Sequence, residues 1–149
     1  MKLASKMWVA VVDGARAMIL VNEGTAVDPR LVVLRSFGID NPPTREQGRD
    51  KPPRAFDANG THRSAMEAPD LHQKAEDRFV TEIMVELEKA ATSNSFDKLV
   101  LVAPPVALGV MRKQIGSALR GKIVKEIAAD YVKMPVPEIA KAVSVALVG

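Results

Sequence analysis

The sequence predicts an α/β protein: one mixed five-stranded sheet, an antiparallel meander joined by two parallel strands, with three main helices. Three observations carry this. Apolar, β-rich runs separated by turn residues fill the chain as far as Phe37. After residue 70 the apolar period lengthens to that of a helix. Prolines then punctuate an alternation of short apolar runs and helical segments. The chain has 149 residues, 47% of them hydrophobic and 26% charged, which fits one globular domain over 1–149 with a sizeable core. Aromatics make up only 4%, so that core must be built from Val, Leu, Ile, Ala and Met.

Met7 to Val12 is a continuous apolar run closed by Asp13-Gly14, and Ala17 to Val21 is a second. Asp13-Gly14-Ala15-Arg16 between them reads as a hairpin connection. Asn22 to Pro29 is turn chemistry again, and Leu31 to Phe37 is a third strand, completing the meander. From Asp70 to about Ala91, Leu71, Ala75, Phe79, Ile83, Val85 to Leu87 and Ala90 recur at helical spacing, with Asp70 as the N-cap. Lys98 to Ala103 reads as a buried strand, and Pro104-Pro105 opens a second helix to about Leu119, ended by Gly121. Within Ile123 to Met134 the first half fits strand or helix, and a strand is predicted there. Pro137-Glu138 starts a final helix to about Leu147. The order of three strands, long loop, then αβαβα matches a ribonuclease-H-like α/β layer.

The long loop, 40–70, has no usable apolar period, and structureless stretches of that length inside compact domains are usually functional or disordered. It holds Pro42, Pro43, Pro52, Pro53 and Pro69, the cations Arg45, Arg49, Lys51, Arg54 and Arg63, the amide Gln47, and His62. His62 and His72 are the chain's two histidines.

Several chemistries lose ground to plainer readings. With no cysteine there is no disulfide, thiol nucleophile or thiolate metal site, and the two histidines lack zinc spacing, so no metal is expected. A two-metal nuclease would gather carboxylates at strand ends. Asp13 is placed for that, but its Asp-Gly context favours a turn residue, and the fourth strand ends in Ala103-Pro104-Pro105. His62, Ser64 and Glu67 are the candidates for hydrolytic catalysis, without a nucleophile elbow around them. Neither GxxxxGK[ST] nor GxGxxG occurs, so no nucleotide cofactor is expected. The apolar run near the N-terminus is too short for a signal peptide or a membrane span, and a cytoplasmic protein without membrane contact is expected.

Basic clusters are the stronger signal in a chain of net charge +3 and pI near 9.3. Arg112, Lys113, Arg120, Lys122 and Lys125 run without an acidic residue before Glu126. Together with Arg45, Arg49, Lys51, Arg54 and Arg63 they would suit phosphate backbones if both sets lay on one side of the sheet. The plainer alternative is a solvated helix face. Only Phe56 lies within the loop, so the sequence favours backbone or shape recognition over base stacking.

Several blocks in order resemble one family: Asn41-Pro-Pro-Thr-Arg-Glu-Gln-Gly48, His62-Arg-Ser-Ala65, Arg78-Phe79, Leu99-Val-Leu-Val-Ala-Pro-Pro105 with Leu108-Gly109, and Pro135-Val136 with Glu138-Ile139. That family is the bacterial "protein required for attachment to host cells", and the resemblance runs from about Trp8 to Leu147. It is similar in turn to the central domain of archaeo-eukaryotic peptide-chain release factors. The resemblance implies a ribonuclease-H-like fold, a translation-related role and a loop facing the ribosome or tRNA. In that domain the loop carries a Gly-Gly-Gln tripeptide; here the corresponding stretch is Gly60-Thr-His-Arg-Ser-Ala65.

The reading that follows is a non-catalytic RNA- or ribosome-binding protein without cofactor, contacting RNA through Arg45, Gln47, Arg49, Lys51, Arg54, His62, Arg63, Arg112, Lys113, Arg120 and Lys122. One alternative is a cytoplasmic protein-interaction factor supporting host attachment, docking through the acidic face of the first long helix. Another is a peptidyl-tRNA or ester hydrolase using the His62 loop.

Overall fold

The computed structural model describes residues 1–40 and 53–148, with the backbone alone for 53–70. Among these, β1 (Trp8–Val12), β2 (Arg16–Asn22) and β3 (Leu31–Gly38) form the meander. They are followed by α1 (Pro53–Thr92), β4 (Leu99–Ala103), α2 (Pro105–Arg112), α3 (Ser117–Arg120), β5 (Ile123–Ala128) and α4 (Val136–Val148). The sheet order is β3-β2-β1-β4-β5. β1 pairs antiparallel with β2 and β2 with β3, whereas β4 is parallel to both β1 and β5. The mixed five-stranded sheet is the one expected from the apolar runs.

The unbroken apolar runs of β1 and β4 are explained by burial on both faces. Ala10 and Val12 of β1, with Leu99, Leu101 and Ala103 of β4, enter a core with Phe79, Ile83, Met84 and Leu87 of α1, Leu108 and Met111 of α2, and Leu119 of α3. Val9, Val11, Val100 and Val102 alternate to the other face, where Leu3, Met7 and the α4 residues Ile139, Val143 and Leu147 cover them.

Asn22 is the one buried polar side chain among the described residues. Its amide donates to the carbonyls of Leu3 and Ala4 at 2.9 and 3.1 Å, and its Oδ1 accepts from the N–H groups of Gly24 and Arg30 at 2.8 Å. One side chain thus ties the N-terminal segment to the β2–β3 turn.

Two boundaries differ from the sequence expectation. The stretch 53–70, expected as loop, is the first part of α1, and Asp70 lies inside the helix rather than capping it. Pro53 sits at the first helical position, where its missing N–H is harmless, and Ala55, Ala58, Ala65, Met66 and Ala68 are strong helix formers. The apolar period read from Leu71 onward is buried only from Phe79, where the helix packs on the sheet, and before it Pro69 looks like a boundary because an interior proline costs about 3 kcal/mol. The remaining loop positions, 41–52, lie outside the described residues.

The second difference divides the expected helix from Pro105 to Leu119 into α2 and α3, giving four helices among the described residues in place of the three expected. The cause is distant in sequence. The Glu88 carboxylate accepts hydrogen bonds from the Ala118 and Leu119 N–H groups at 3.2 Å each, capping α3. Gly116 makes room for it: a Cβ there would stand 2.7 Å from the Glu88 carboxyl carbon. Lost caps typically cost about 0.5–2 kcal/mol. Gly116→Ala and Glu88→Ala should each destabilise by about 1 kcal/mol in urea unfolding. In the Glu88→Ala background, Gly116→Ala should be neutral or mildly stabilising, because alanine then only restricts the unfolded chain.

Candidate nucleic-acid interface

The two ends of the parallel strands are chemically different. At the C-terminal end, Asp13 Oδ1 accepts the Ala15 and Arg16 N–H groups at 2.8 and 2.7 Å, the turn role expected for it. Ile39 N–H donates to the Ala15 carbonyl at 2.8 Å, so Asp40 leaves the sheet at this end. The Glu76 carboxylate of α1 fits against Gly14, where a Cβ would stand 2.7 Å from its carboxyl carbon. Gln73 Nε2 donates to Asp77 Oδ1 at 2.8 Å nearby. Among the described residues, no three His, Asp or Glu side chains gather as they would to hold one cation.

The second basic set lies along α2, α3 and the start of β5. Arg112 ends α2 and Lys113 is its C-cap. Arg120 ends α3. Lys122 precedes β5 at the N-terminal end of the parallel strands, where its carbonyl accepts the Leu99 N–H at 2.8 Å. Arg112 is not a free cation, because its Nε lies 2.6 Å from Glu126 Oε1. Among the described residues Lys113, Arg120, Lys122 and Lys125 make no ion pair. Lys113, Arg120 and Lys125 are exposed. Lys122 Nζ donates to Asn94 Oδ1 at 3.0 Å and stands 6.0 Å from the centre of the Phe96 ring. Phe96 in turn stacks on Trp8, ring centres 4.6 Å apart.

The first basic set is placed differently. Arg45, Gln47, Arg49 and Lys51 lie outside the described residues. Arg54, His62 and Arg63 belong to the first part of α1, as do Ser64 and Glu67, with their side chains outside the description. His72 is exposed on α1.

The acidic face of α1 is partly spent within the fold. Glu86 Oε1 lies 3.3 Å from Arg35 of β3, and its Oε2 lies 3.8 Å from Lys89. Glu88 caps α3. The sequence reading missed the Glu88 cap and the Trp8–Phe96–Lys122 stack. Trp8, the single tryptophan, was the one available hint.

A model of the family described as bacterial archaeo-eukaryotic release factor family 12 matches residues 6–143. The chain belongs to that family. The release-factor relation implied by the sequence blocks therefore holds. The chain is also 35% identical over 63 residues to an uncharacterized protein of Rickettsia prowazekii (strain Madrid E). That match covers 41% of this chain and 42% of the relative, so it spans under half of the relative's length. This member of the release-factor-like family contains no Gly-Gly pair, and hence no Gly-Gly-Gln. Among the described residues no helix is long and apolar enough to cross a membrane.

The Arg112–Glu126 pair sits on an exposed surface, where such pairs contribute about 0–1 kcal/mol. Glu126→Gln should leave stability within that margin while releasing Arg112. The variant should elute from a heparin column at higher salt than the parent, and Glu126→Gln/Arg112→Gln should return to the parental position or below.

Proposed function

We propose that this release-factor-like chain is a non-catalytic RNA- or ribosome-binding protein of the bacterial cytoplasm with a translation-related role. The observation that carries the reading is the set Lys113, Arg120, Lys122 and Lys125. They make no ion pair among the described residues: Lys113 and Arg120 lie on the α2–α3 side, Lys122 at the turn into β5, and Lys125 on the β5 face opposite Glu126 and its partner Arg112. Such a set suits the phosphate backbone, whose counterions are released on contact. Family membership supports a partner in translation. The missing Gly-Gly pair removes the residues through which release-factor relatives would act on peptidyl-tRNA, which supports binding without hydrolysis.

Arg45, Gln47, Arg49, Lys51, Arg54, His62 and Arg63 form the second contact region on this reading. They stand in sequence between β3 and the sheet-packed part of α1. Any attachment phenotype belonging to the resembling family would follow indirectly, through altered translation.

Co-sedimentation with ribosomes and gel shift of tRNA, each over a salt series, test this. Retention at low salt should fall steeply as salt rises. The Lys113→Gln/Arg120→Gln/Lys122→Gln/Lys125→Gln variant should lose roughly one unit of the log–log salt slope per phosphate contact removed. Failure to bind either ribosomes or tRNA at low salt contradicts the proposal.

A further inference from the structure

At the N-terminal end of the parallel strands lies a cavity of about 380 Å³. That is within the range of about 300–1,000 Å³ typical of small-molecule sites. Its lining includes Lys6, Trp8, Asn94, Ser95, Asp97 and Lys98. Trp8 is half-buried, and the 4% exposed Phe96 ring backs it at 4.6 Å with an interplanar angle of 28°. The aromatic surface is therefore held in place rather than loosely displayed. Lys122 stands at the same corner, joined to Asn94 Oδ1 at 3.0 Å.

The backbone around the cavity is unusual as well. Lys6 and Asn94 are the non-glycine residues of positive φ among those described, at 68° and 55°, and both line it. Asn94 has a local cause: it closes α1 in a Schellman arrangement, with the Ser95 N–H on the Ala90 carbonyl at 2.9 Å and the Asn94 N–H on Ala91 at 3.0 Å. Lys6 occupies the third position of a turn closed by the Met7 N–H on the Ala4 carbonyl at 3.1 Å, a place that glycine usually takes. A long cationic side chain is thus held in a left-handed conformation at the rim, with its Nζ 2.9 Å from Glu23. Strained positions of this kind cluster at binding sites.

We propose that this cavity receives one unpaired nucleotide, its base stacked on Trp8 and its phosphate held by Lys98 and Lys122. Base–aromatic stacking is tolerant of base identity because every base has a π face. Asn94 and Ser95 supply hydrogen-bonding groups for a base edge or ribose hydroxyl, and Asp97 is an acceptor for a base amino group or a hydroxyl. Of the two carboxylates near the rim, Glu23 is engaged by Lys6, leaving Asp97 against Lys98 and Lys122. The inference rests on the RNA-binding reading for the source of the nucleotide. It adds a stacking site where the sequence suggested none.

Because Trp8 is the single tryptophan, fluorescence excited selectively at tryptophan, beyond the absorption of Tyr131, reports on this cavity. The titrants are hexaadenylate, hexauridylate, AMP, inorganic phosphate and a blunt RNA duplex, with tRNA followed in parallel by gel shift. The hexamers should change Trp8 emission saturably, AMP more weakly, and phosphate and the blunt duplex not at all. Lys98→Gln/Lys122→Gln should weaken hexamer binding at least fivefold. In gel shift, Trp8→Leu should weaken it roughly 5- to 100-fold, whereas Trp8→Phe, which keeps an aromatic on Phe96, should retain most of the affinity.

A tRNA shift at low salt with Trp8 emission unchanged by the hexamers overturns the cavity proposal and leaves the RNA-binding reading intact. Saturable quenching by AMP with no binding of any RNA supports the cavity as a free-nucleotide site and overturns the RNA-binding reading. Quenching that is linear in every titrant, or unaltered in the lysine variant, also overturns the cavity proposal.

Discussion

The parallel pairing of β1 with β4 is the constraint on which the rest of the molecule depends. Val9 to Val12 and Leu99 to Ala103 are all withdrawn from water, so both faces of the sheet centre must be covered. Covering one face takes α1, α2 and α3, and covering the other takes the N-terminal segment and α4. A parallel pair cannot be joined by a tight turn. The chain therefore returns from the C-terminal end of the sheet to its N-terminal end through helices, first along α1 and then along α2 and α3. This routing places Asn94 to Lys98 and Lys122 beside Trp8.

The same constraint sets where the second basic set lies. Lys122 stands at the N-terminal end of the parallel strands, where its carbonyl accepts the Leu99 N–H. Among the described residues, the cations of α2, α3 and the start of β5 lead to an aromatic corner at that end. On the proposed reading, those cations hold backbone phosphates and the corner holds a base. This division of labour follows from where the strands start.

What could be read from the sequence, and what could not, divides by the distance over which each feature is determined. Asp13-Gly14 between two apolar runs marks the β1–β2 hairpin because turn and strands are adjacent. The buried spacing from Phe79 to Ala91 marks the packed part of α1, since packing writes a period into the chain. The first part of α1 has no such period, and Pro69 reads as a stop there. The break between α2 and α3 depends on Glu88, 30 residues before Ala118. Likewise nothing near Trp8 in the sequence points to Phe96 or Lys122. The candidate site was legible as a list of cations, but its aromatic half arises only when the sheet forms.

Ultraviolet crosslinking of RNA to the protein in cells, with the adducts mapped by mass spectrometry, decides whether this surface meets RNA. Adducts are expected on peptides containing Trp8 and on peptides from Lys113 to Lys125. A chain recovered without RNA adducts, or with adducts confined to the Glu82–Lys89 face of α1, would contradict this reading.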